Sequence, residues 1–169
     1  MSVSNVLFLI ICFVLFPFDA IAKDDSSVRV EKIIDGDTIQ VQYKAKSVQV
    51  RLWGIDTPEY QQPFSKPAKK FTAQLLEEGR VQLKIKDWDR YGRIVAIVTM
   101  TDQRCVNEEL IKAGFAWVHI YYCKEPICKR WSGYEKEARL QQIGLWQDSS
   151  PVPPWVWKKK NKRWERKTH

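Results

Sequence analysis

Val28-Arg29-Val30-Glu31-Lys32-Ile33-Ile34-Asp35-Gly36-Asp37-Thr38-Ile39-Gln40-Val41-Gln42-Tyr43 holds two apolar-rich segments, 28–34 and 38–43, on either side of an Asp-Gly turn. Asp and Gly favour hairpin connections, so the two segments read as paired strands. Working outward, 48–55 reads as a third strand, 81–87 alternates as a fourth, and 93–100 is a fifth. Between them, Ala68, Phe71, Leu75 and Leu76 recur at helical spacing, which predicts a helix over 66–78 ended by Gly79. Two more helices are expected over 106–113 and 134–143, ended by Gly114 and Gly144. Five strands with helices inserted and appended suit an α+β, mainly β fold: a five-stranded OB-fold barrel with about three helices.

Charge gathers where these strands end. Asp35-Gly36-Asp37-Thr38 closes the first, Arg51-Leu52-Trp53-Gly54-Ile55-Asp56-Thr57-Pro58-Glu59 the third, and Asp89-Arg90-Tyr91-Gly92-Arg93 leads into the fifth. A phosphodiester under attack by water gathers negative charge on its equatorial oxygens. Its hydrolysis calls for a cation, fixed guanidinium donors and a group to take the water's proton. Hard cations bind carboxylates, backbone carbonyls and water, a set that Asp37, Asp56 and the Thr57 carbonyl supply. Glu59 follows a proline that stiffens the turn and is placed to act as the base. Arg51 and Arg93 can each make two parallel hydrogen bonds to phosphate oxygens, which lysine cannot. Taken singly the pieces are ordinary. Asp-Gly-Asp-Thr is a common turn, and Asp-Thr-Pro-Glu is a possible helix start. The weight lies in all three together, in this order.

That pattern resembles the staphylococcal nuclease family over roughly residues 28–147. The resemblance implies a calcium-dependent nuclease, one Ca2+ per site, acting on DNA and RNA by cleaving the bond to the 5′ oxygen and leaving 3′-phosphate ends. By that likeness Asp37 and Asp56 are side-chain metal ligands and Thr57 a backbone ligand. Glu59 holds or deprotonates the attacking water, and Arg51 and Arg93 clamp the phosphate. Arg90 and Tyr91 fall near the nucleotide phosphate, and Asp35 lies just behind the metal ligands. The family often carries two tyrosines spaced by one residue. In Ala116-Trp117-Val118-His119-Ile120-Tyr121-Tyr122-Cys123, Tyr122 aligns with the second and Ile120 takes the place of the first. Base preference is therefore open.

Composition agrees with a nucleic-acid partner. The 28 Lys+Arg exceed the 20 Asp+Glu, giving a formal charge of +8 that attracts polyanions. No phosphate-binding Gly-rich loop, Gly-x-Ser-x-Gly elbow or His-rich metal motif points to another enzyme class. At the N-terminus, the apolar run 6–18 followed by Ala20-Ile21-Ala22 reads as a signal peptide spanning 1–22. The run is short for a membrane span, which needs about 20 residues, although an uncleaved anchor is the alternative. The mature protein is expected to be secreted or periplasmic, without stable membrane association, and monomeric.

Cys123 and Cys128 flank a short Lys-Glu-Pro-Ile stretch and suit a disulfide in an oxidising compartment, leaving Cys105 as a thiol. A zinc site is disfavoured, because His119 is the only nearby histidine. The nuclease domain is expected over 23–148. Residues 149–169, with Pro151, Pro153, Pro154 and a Lys/Arg-rich end carrying Trp155 and Trp157, read as a flexible basic tail. Truncation after Asp148 is expected to weaken substrate binding and spare turnover. The competing reading is a catalytically silent OB-fold module that binds nucleic acid.

Overall fold

A computed structural model describes residues 27–165; the expected signal segment lies outside the described residues. Five strands close a barrel in the order β1 (Val28–Ile33), β2 (Thr38–Tyr43), β3 (Lys46–Leu52), β6 (Ile94–Met100), β5 (Arg80–Trp88). All pairings are antiparallel except β3 with β6. This is the mixed five-stranded barrel expected of an OB fold. β2 and β3 turn inward Ile39, Val41, Val50 and Leu52, all essentially inaccessible. β6 is apolar on both faces because α2 (Val106–Lys112) covers it. The buried Asn107 accepts from the Val98 N–H at 3.0 Å and donates to the Trp53 carbonyl at 2.9 Å, tying α2 to β6 and to the end of β3.

The third strand ends earlier than expected. It stops at Leu52, and Ile55–Asp56 forms a separate strand, β4, paired with β7 (Trp117–Val118). Gly54 makes the break with φ of +75°, and a Cβ there would lie 2.9 Å from the Cys123 sulfur and 3.1 Å from Trp131. Cys123 and Cys128 are joined by a disulfide, and Cys105 is a free thiol. The first helix, α1 (Ser65–Leu75), is shorter than expected, the chain leaving it through a turn to Gly79.

α3 runs from Pro126 to Leu140, so it starts well before the expected 134 and ends before 143. Pro126 occupies the first helical position, where its missing N–H costs nothing, and Cys128 and Trp131 are buried on the added turns. The segment expected as a flexible tail also differs. Pro154–Glu165 is a helix, α4, whose first turn is closed by the Pro153 carbonyl accepting from Val156 and Trp157. Trp155 packs on a second apolar cluster of Trp117, Ala138, Leu145 and Trp146. That burial gives the Pro-rich segment a reason to order that composition does not reveal. No helix among the described residues is long and apolar enough to cross a membrane.

Candidate active site

The Asp-Gly turn between β1 and β2 is fixed from three sides. The N–H groups of Ile34 and Asp35 donate to the Thr38 carbonyl, Asp37 N–H donates to Asp35 Oδ1 at 3.0 Å, and Leu52 N–H donates to the Asp37 carbonyl at 2.8 Å. Thr72 on α1 donates its hydroxyl to the Gly36 carbonyl at 2.6 Å. Gly36 is needed for space: a Cβ would meet Thr57 Oγ1 at 2.7 Å and the Ala68 Cβ at 3.0 Å.

The bend at Gly54 then sends the chain back past this turn. Thr57 donates its N–H and its hydroxyl to Asp37 Oδ2 at 2.6 and 2.8 Å. The Arg51 guanidinium bridges the two buried aspartates, with Nη1 2.7 Å from Asp37 Oδ1 and Nη2 on Asp56 Oδ1, and it also donates to the Ile55 carbonyl at 3.0 Å. Asp37, Asp56 and Thr57 are buried, and the partly buried Asp35 and Arg51 join them in one cluster at the end of the barrel.

Negative charge is in excess there. Burial, reinforced by Asp37, raises the Asp35 carboxyl from 3.8 to about 6. Burial likewise raises Asp56 to about 6, the attraction of Arg51 being outweighed. For Arg51, burial opposes the charge, yet Asp37 and Asp56 prevail and hold its pKa above the ordinary arginine value. One guanidinium serves a group of carboxylates that two or more positive charges would fit better.

Glu59 lies beyond Pro58 on a loop held by the buried Gln62, whose Oε1 accepts from the Glu59 N–H at 2.9 Å. Its carboxylate meets Lys158 of α4, with Nζ 2.6 Å from Oε1. Arg93 is placed differently from Arg51. Its Nε donates to Asp89 Oδ2 at 2.7 Å, and its guanidinium lies 5.6 Å from the centre of the Tyr91 ring; that of Arg90 lies 4.9 Å away. Burial disfavours the charged Asp89 carboxyl, but hydrogen bonds from Arg93 and Tyr91 outweigh it and hold the pKa below its ordinary value. Among the described residues no hydrogen bond or ion pair links Arg90, Tyr91 or Arg93 to Asp37, Asp56 or Glu59. The strand register pairs Arg51 with Val95, so Arg93 stands two residues back, just ahead of the neighbouring strand.

Residues 49–148 match the family model described as staphylococcal nuclease homologue. The chain belongs to that family. It is 38% identical over 141 residues to a micrococcal nuclease of Shigella flexneri, covering 79% of this chain and 80% of that one. It is 38% identical over 130 residues to an uncharacterized endonuclease of Escherichia coli, with 77% and 83% covered. An uncharacterized endonuclease of Haemophilus influenzae is 37% identical over 144 residues, with 85% and 79% covered.

The donor set of this staphylococcal nuclease homologue fits a hard cation. Asp35, Asp37, Asp56 and the Thr57 carbonyl offer only oxygen. The carboxylates outnumber the one guanidinium among them, and Asp56 Oδ2 accepts no hydrogen bond among the described residues. The described residues hold no cluster of three or more His, Cys, Asp or Glu side chains with metal-binding geometry.

Sequence reasoning named the acidic cluster but not its neighbours. His119 donates its N–H to the Gly54 carbonyl at 2.8 Å and gathers Tyr122, Trp155 and Tyr121 at ring distances of 4.6, 5.2 and 6.0 Å. Burial, with Arg51 and Lys158 nearby, lowers its pKa. Tyr121 and Tyr122 are each 72% exposed beside it, a free aromatic face next to the charged site. His119 stood inside the tyrosine-bearing stretch, but nothing in sequence placed Lys158, Trp155 or Gln62 at the site.

Proposed function

We propose that this member of the nuclease family is an exported, calcium-dependent endonuclease that hydrolyses DNA and RNA at the P–O5′ bond and leaves 3′-phosphate ends. The observation that carries it is the joining of the buried Asp37, Asp56 and Thr57 by the partly buried Arg51, with Glu59 two residues further on. Asp37, Asp56 and the Thr57 carbonyl would hold the cation, which when bound supplies positive charge against the phosphate. Arg51, which here pairs with those same aspartates, stands beside the position a phosphate would take and would donate to its oxygens. Such preorganised donors are each worth on the order of 2.7–4 kcal/mol in a transition state. Glu59 accepts a hydrogen bond and then a proton from the water whose oxygen attacks phosphorus; the P–O5′ bond breaks and the departing oxygen takes a proton from solvent.

The exposed tyrosines beside His119 and the lysine-rich sequence of α4 support a single strand laid across the site by stacking and charge. The apolar run before Ala22 supports export. Product analysis tests the reading. Digestion of labelled single-stranded DNA and RNA by protein starting at Lys23, with calcium, magnesium or chelator, should give calcium-dependent fragments bearing 3′-phosphates. Fragments bearing 5′-phosphates, or digestion indifferent to chelator, would overturn it.

A further inference from the structure

We propose that the C-terminal segment is a working part of this site, with Lys158 and Gln62 as positioning residues that hold Glu59 from two sides. The inference rests on the nuclease reading, in which Glu59 faces the attacking water.

Glu59 sits on a loop, outside the barrel. Gln61 and Phe64 in that loop have φ of +63° and +67°, conformations that side chains other than glycine adopt at a cost. Something must hold it there. Gln62 is only 5% exposed and uses both ends of its amide: Oε1 accepts from the Glu59 N–H at 2.9 Å, and Nε2 donates to the Val152 carbonyl at 2.6 Å. The backbone of Glu59 is thereby tied to the linker that precedes α4. The side chain is tied by Lys158, 2.6 Å from Oε1. Oε2 accepts nothing among the described residues, so the carboxylate keeps acceptor positions for water.

α4 is itself anchored. Trp155 packs on the second apolar cluster and against His119, and Lys158 follows three residues later, on the same helical face. The Lys158 side chain is half exposed, but the helix that carries it is packed through Trp155, so the ion pair holds Glu59 from an anchored element. A lysine on an unpacked tail that reached a carboxylate by chance would lack that anchor. Glutamate has three rotatable side-chain bonds, and a misplacement of about 1 Å near the reacting atoms can cost on the order of a hundredfold in rate.

The test uses steady-state hydrolysis of a dinucleotide by the full mature chain with calcium. Lys158→Met should lower kcat about tenfold with KM nearly unchanged. Lys158→Arg should recover most of that loss, and Lys158→Met should have no further effect in a Glu59→Gln background. Three results overturn the proposal: an unchanged or raised kcat, which makes the contact idle or inhibitory; a rise in KM alone, which makes Lys158 a phosphate contact; or an equal loss in the Glu59→Gln background. Failure of the wild-type chain to hydrolyse refutes the nuclease reading itself and is distinct from these. A urea double-mutant cycle of Lys158→Met and Glu59→Gln reads the ion pair without activity. The four unfolding constants should depart from independence by about two- to fivefold, and independence would overturn the proposal.

Discussion

Gly36→Ala tests the packing that brings the two aspartate loops together. The added methyl would stand 2.7 Å from Thr57 Oγ1, 2.9 Å from Thr57 Cβ and 3.0 Å from Ala68 Cβ. Ordinary contact needs several tenths of an ångström more at each. Ala68 belongs to α1 and is fully buried, so Thr57 must give way. Its hydroxyl is 2.8 Å from Asp37 Oδ2, and retreat stretches that bond. A hydrogen bond to a charged group contributes about 1.5–3 kcal/mol, and overpacking adds about 1–3 kcal/mol. Reduced entropy of the unfolded chain returns about 0.4–1 kcal/mol. The net expectation is a loss of about 1.5–5.5 kcal/mol, read from urea unfolding followed by tryptophan fluorescence. Gly133→Ala on α3, where nothing lies within 4 Å of the new atom, is the control and should stabilise by about 0.5–1 kcal/mol. A Gly36→Ala protein within 0.5 kcal/mol of wild type would refute the claim that the loops are locked through this contact.

Other outcomes follow from the same structure. Lys44 and Ala45 link β2 to β3 with φ of +47° and +59°, so replacing them with Asn-Gly should stabilise by roughly 1 kcal/mol in urea; no gain would show the turn unstrained. Asp35 and Asp56 bind protons more tightly folded, at about 6, than at the ordinary 3.8. Their contribution to stability is therefore fullest below 3.8 and is lost as pH rises through 6. The fall in urea midpoint across that window should flatten in Asp35→Asn, and an unchanged slope would count against the burial of that carboxyl. Removing everything after Asp148 should lower kcat as well as weaken binding of long DNA, contrary to the sequence-based expectation that turnover is spared, because Lys158 and the Val152 carbonyl are lost. Unchanged kcat on a dinucleotide would restore the view of the tail as a binding element alone.

The barrel was legible because alternation and turn chemistry agree along it. Ile39, Val41, Val50 and Leu52 face inward as their spacing says, and Asp35-Gly36 turns the chain where its residues favour a turn. The misses have tertiary causes. β3 breaks at Gly54 because Cys123 and Trp131 crowd that position from distant parts of the chain. α3 begins at Pro126 because burial of Cys128 and Trp131 extends it across a stretch where apolar periodicity is weak. α4 orders through Trp155, which meets a pocket wall built by Trp117 and Trp146. At the site, the acidic residues were visible because they lie in two short motifs. The partners that fix them, Gln62 and Lys158, became visible only when the fold brought the chain's end back to Glu59.

The central claim is that the cluster around Arg51 and Glu59 is one hydrolytic site. Its most direct test is cleavage of supercoiled plasmid by folded wild-type, Asp56→Asn and Glu59→Gln proteins, with calcium and with chelator. Calcium-dependent cleavage by wild type, reduced at least a hundredfold (order-of-magnitude) in both variants, is the predicted result. Cleavage that survives both substitutions, or that proceeds in chelator, would contradict it.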